Sequence, residues 1–101
     1  MPDSFPTAPD CTTMAEVRTA IDALDTRIVT LLAERMRYIE AAARIKPDRD
    51  AVRDEPRKAE VIAHARAVAE ERGFPPALAE AIYELLVEGS ITHEFERFDA
   101  R

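Results

Sequence analysis

Three arginines, a lysine, a serine and a glutamate carry the chemical signal of this sequence. Arg18, Arg35 and Lys46 interrupt a helical stripe that otherwise runs Ile21, Asp25, Ile28, Leu32, Ile39 and Ala42. A neighbouring stripe of Val17, Leu24, Leu31, Tyr38 and Ile45 completes an apolar face. A charge inside such a seam is costly unless it is paired. One cation there reads as a side chain snorkelling to the edge, or as a partner for Asp25. Three on one seam point to a buried anion site. Arg57 adds a fourth cation in the first turn of a second helix, where exposed N–H groups favour anions and the helix dipole disfavours arginine. On the third helix Ser90 and Glu94 share a face at i, i+4. Taken alone, Glu94 reads as a solvated surface acid, although Phe95 and Phe98 follow it closely. Gly89 lies mid-helix and reads as a site of tight packing.

Spacing limits how these groups meet. Arg35 and Lys46 are almost three helical turns apart, with Cα atoms separated by ~16 Å, so both can reach one small ligand. Arg18 lies ~42 Å from Lys46 along the same helix and cannot reach that ligand within one chain. It can do so if the long helices of two chains run antiparallel. The chemistry implied is binding and charge stabilisation of a small dicarboxylate. His64 and His93 stand apart without metal-ligand spacing, and no Ser-His-Asp order, glycine-rich phosphate loop or flavin motif occurs, so no cofactor and no metal are expected.

The elements that position these residues follow from local signals. Thr13 and Glu16 form a capping box that opens a helix from about Met14 to Lys46, and Pro47 ends it. Residues 47–55 read as a charged loop. Asp54 is a good N-cap for a second helix, with Pro56 in its first turn and Gly73 just past its end near Arg72. A third helix runs from about Pro76 to Phe98. The expected fold is all-α, with three helices of unequal length over 13–101 behind a flexible, proline-rich segment 1–12. Two shorter helices cannot cover the first, which favours an intertwined homodimer.

Composition narrows the function. The chain has 101 residues, one domain's worth, and a net charge of −6 with a pI of about 4.9, which argues against nucleic acid. Cys11 is the sole cysteine, so no internal disulfide forms. No apolar run approaches the ~20 residues of a membrane span. The first residues do not read as a signal peptide, and the expected location is the cytoplasm.

The segments EVRTAIDALDTRIVTLLAERMRYIEAAARIK (16–46), AVRDEPRKAEVI (51–62) and ELLVEGSITHEF (84–95) resemble the all-helical chorismate mutase family. The motifs VR-x-x-ID-x-LD and LLAER, followed by a lysine and then VRD-x-x-R, carry the resemblance. It implies an intertwined dimer with two shared sites and rearrangement of chorismate to prephenate. It also implies that Arg18 of one chain and Arg35 and Arg57 of the other bind carboxylates. Lys46 then donates to the ether oxygen, Asp54 meets the ring hydroxyl, Ser90 lies near the ring carboxylate, and Glu94 makes the second ether-oxygen contact. Lys46, Glu94 and Arg35 are the implied catalytic groups. DCT at 10–12, RM-x-Y at 35–38 and AEE-x-G at 69–73 resemble a related branch, isochorismate pyruvate lyase. Lys58 stands where bacterial mutases often carry an acid, which keeps the lyase open, whereas VRD with Asp54 favours the mutase. A non-catalytic dimer that binds a dicarboxylate is the third reading.

A site shared between chains makes a definite prediction. Arg18→Ala and Arg35→Ala should each abolish most turnover while leaving helicity intact. Mixing the two inactive variants should restore part of it, because one site of the heterodimer receives both arginines. No recovery after demonstrated subunit exchange would place both residues in one chain.

Overall fold

A computed structural model describes residues 6–101 of the chain. Its elements are a short 3-10 turn at Ala8–Asp10, helix α1 (Met14–Ile45), a second 3-10 turn at Arg49–Ala51, and helices α2 (Glu55–Arg72) and α3 (Pro76–Asp99). No strand occurs among the described residues. The all-helical expectation therefore holds, with helix ends within one residue of those read from the sequence. The chain falls into two compact units divided between Arg35 and Met36, with α1 contributing to both.

In the first unit the capping box forms as its residue types dictate. The Glu16 N–H donates to Thr13 Oγ1 at 3.2 Å, and Glu16 Oε1 accepts from the N–H groups of Thr12 and Thr13 at 2.9 and 3.1 Å. These backbone donors, that of Thr12 foremost, hold the Glu16 carboxyl below its ordinary value. Of the proline-rich segment, residues 1–5 lie outside the described residues. The rest is built on the Ala8–Asp10 turn, where Thr7 Oγ1 donates to Asp10. Ile28 and Leu31 on α1 are 52% and 62% exposed, so this stretch of its apolar face is uncovered within the first unit.

The second unit holds the apolar core. Val52, Val87 and Ile91 are buried, with Val61, Tyr83, Phe95 and Phe98 packed against them. Val52 belongs to the segment read as a loop, which is ordered by its aspartates. Asp48 accepts from the Ala51 N–H at 3.2 Å and so caps the 3-10 turn. Asp54 caps α2 by accepting from the Arg57 N–H at 3.0 Å. The far end of α2 closes at Gly73, whose φ is +76°, with the Phe74 N–H returning to the Ala69 carbonyl at 2.8 Å. Gly89 departs from the tight-packing expectation. It is exposed, and a Cβ there would meet nothing within 4 Å.

Gly73 also has open space around it, so only its left-handed backbone resists a side chain. Gly73→Ala should cost about 1 kcal/mol in urea unfolding. Gly89→Ala should stabilise by a comparable amount through helix propensity. Equal effects at the two positions would contradict this assignment.

Candidate active site

Lys46 is the first residue past α1, where its N–H still donates to the Ala42 carbonyl at 2.9 Å. Its side chain turns to α3. The ammonium lies 2.7 Å from Glu94 Oε2 and donates to the Val52 carbonyl at 3.2 Å. Glu94 is not the surface acid that its type suggests in isolation: its residue is only 4% exposed. The contact with Lys46 lacks hydrogen-bond geometry, so the buried Oε2 has an ionic partner but no donor among the described residues. Such an oxygen is open to a ligand's donor.

One turn earlier on α3, Ser90 is buried and donates to the Leu86 carbonyl at 2.7 Å. Lys46, Ser90 and Glu94 thus come together around α3, two of them buried and one half-buried. The other expected site residues are placed differently. Asp54 is exposed, with its carboxylate occupied as the α2 cap. Arg57 extends along the exposed face of α2 to Glu60 at 3.3 Å. Arg35 is half-buried and Arg18 exposed, both on the portion of α1 in the first unit. No cluster of His, Cys, Asp and Glu able to hold a metal ion exists among the described residues.

Several contacts that frame this pair escaped the sequence reading. Arg101 donates to the Ala43 and Lys46 carbonyls at 3.0 and 2.6 Å and stacks on Phe98, so it closes the end of α1. Arg49 grips Asp99 with two hydrogen bonds and lies over the Phe95 ring. Arg53 and Lys58 both hold Glu88, and Lys58 also holds Glu84 at 2.7 Å. These contacts brace the segment whose Val52 carbonyl receives Lys46. Their partners lie 26 to 58 residues away, beyond any local signal.

A charged amine beside a buried carboxyl, with a serine a turn away, suits a small anionic substrate that needs charge stabilisation and no covalent help. Residues 17–95 match the family model of chorismate mutase type II. The chain belongs to this family. The isochorismate pyruvate lyase of Pseudomonas aeruginosa is 32% identical over 90 residues, 89% of each chain. Within the chorismate mutase type II domain, Lys46, Ser90 and Glu94 all fall inside the matched span. No helix among the described residues is long and apolar enough to cross a membrane.

The bracing network titrates. Arg53, and then Lys58, pull the Glu88 carboxyl from its usual 4.5 down to about 2, against the opposing effect of burial. A carboxyl lowered in the folded state contributes stability above its unfolded value, and that stability is lost as pH falls from about 4.5 towards about 2. Glu88→Gln should therefore melt below wild type at pH 7 and converge with it near pH 2. A gap that does not narrow with acid would remove Glu88 from this role.

Proposed function

We propose that this protein is a chorismate mutase, converting chorismate to prephenate without a cofactor in a homodimer with shared sites. The observation that carries this reading is the Lys46–Glu94 pair, a cation and a nearly inaccessible carboxyl 2.7 Å apart in a chorismate mutase type II domain. In the rearrangement the ether C–O bond breaks as a C–C bond forms within one molecule. Negative charge grows on the ether oxygen. Lys46 stabilises it from one side, and a donor at Glu94 stabilises it from the other, both more strongly in the transition state than in the ground state. Arg35, Arg57 and the partner's copy of the Arg18 position hold the two carboxylates, so that the enolpyruvyl arm stays folded over the ring. The uncovered apolar face of α1, with Tyr38 and Ile45 each over 70% exposed, supports the dimer.

A second reading has its own support. The relative at 32% identity is an isochorismate pyruvate lyase, and Lys58 occupies a position where many mutases carry an acid. The lyase breaks the same type of ether bond and needs the same cations. Incubation with each substrate separates the two by their products, prephenate from chorismate or salicylate and pyruvate from isochorismate.

Glu94 supplies the sharper test of mechanism. An ionised carboxylate has no proton to donate and repels a developing oxyanion. Glu94→Gln provides a permanent N–H donor of similar size and should keep or raise turnover, whereas Glu94→Ala should abolish most of it. Equal losses in the two folded variants, measured as prephenate formed from chorismate, would remove Glu94 from the ether oxygen.

A further inference from the structure

The apolar cluster of the second unit includes no residue of α1. The last turns of α1 bury only the small side chain of Ala43 and make their contacts with α3 through polar side chains. Lys46 meets Glu94, Arg101 caps the Ala43 and Lys46 carbonyls, and Glu40 Oε2 meets His93 Nε2 at 2.7 Å. The last contact is half-shielded, with the Glu40 and His93 side chains 20% and 30% exposed. His93 immediately precedes Glu94, so the two project from α3 about 100° apart. Glu40 lies six residues before Lys46, ~9 Å along α1 and on a different flank. One contact between two helices leaves them free to pivot. Two contacts at different heights and on different flanks fix both rotation and register.

We propose that Glu40 and His93 are positioning residues, whose contact holds α3 at the rotation that sets Glu94 against the Lys46 ammonium. Glu40 pairs with His93 and Arg37, and not with Lys46 or Glu94, so each member of the clamp acts through its helix. Three other charged groups stand near the pair. Arg37 Nε lies 3.2 Å from Glu40 Oε1, Arg97 contributes from α3, and Arg44 lines the same recess. The hydrogen bond from His93, with smaller help from Arg37 and Arg97, keeps the Glu40 carboxyl below its ordinary value. The carboxylate therefore accepts from the His93 Nε2–H.

The chain contains only two lysines, Lys46 and Lys58, which gives a readout independent of turnover. Trace acetylation followed by mass spectrometry yields the Lys46:Lys58 labelling ratio, with Lys58 as reference because Glu84 and Glu88 hold it apart from the clamp. Glu94→Gln serves as the control with the Lys46 ion pair lost. His93→Leu should raise the ratio towards that control, and His93→Gln, which retains a donor, should restore most of the wild-type value. The effect on rate rests on the reading in the preceding section. There His93→Leu should lower kcat about tenfold with little change in KM, a loss of orientation and not of binding. If His93→Leu fails to fold, Glu40→Ala and Glu40→Gln carry the same comparison from the other side. An unchanged labelling ratio in a folded clamp variant overturns the proposal. A ratio that responds in a protein turning over neither substrate upholds the clamp and overturns the assigned reaction.

Discussion

Beyond the buried methyl of Ala43, the end of α1 is fastened to the rest of its unit by charges and carbonyls, while the apolar cluster is built by α2, α3 and Val52. This division of labour follows from the sequence. The large apolar residues Tyr38 and Ile45 of α1 face outward and only the small Ala43 is buried, whereas Glu40 and Lys46 face α3. The position of Lys46 consequently depends on polar geometry at several points. The Val52 carbonyl that receives its ammonium is in turn placed by the burial of the Val52 side chain and by the network of Arg53, Lys58 and Glu88.

Burial of Glu94 beside Lys46 is energetically demanding. Taking two charges out of water is repaid only by good geometry and further hydrogen bonds. Here the Lys46 ammonium is an ionic partner of Oε2 without a hydrogen bond to it, which leaves that oxygen open to a ligand's donor. Hydrophobic residues of similar size would hold α3 more cheaply but could not respond to charge on a ligand.

Elements whose signals are local were legible in the sequence. Thr13 and Glu16, Asp54, Pro56 and Gly73 each act within a few residues of themselves, and each forms the cap or turn that its chemistry requires. The ends of α1 and α3 follow from Pro47 and from Pro75–Pro76 for the same reason. Glu94 was different. Its type favours solvent, and only packing of α3 makes it buried, so the resemblance and not the residue marked it. His93 stood alone in the sequence because its partner, Glu40, is 53 positions away. The Arg49–Ala51 turn was hidden inside a charged stretch whose aspartates could equally have been solvated. Arg57 read as a cation near an anion-binding helix end, yet its side chain extends to Glu60 on the same helix.

Tethers of this kind make the gap between α1 and α3 a quantity measured in methylene groups. Helices that touch through interlocking apolar surfaces keep their separation when one side chain is trimmed, because neighbours still set the distance. A gap spanned by Glu40, Lys46 and Arg101, with only the small Ala43 buried beside them, has little such redundancy. Glutamate to aspartate preserves charge and acceptor but shortens the span by one carbon, and lysine to arginine exchanges a point charge for a planar fork. Exchanges that conserve charge elsewhere on this surface therefore act here as changes of length, and the helix end must follow.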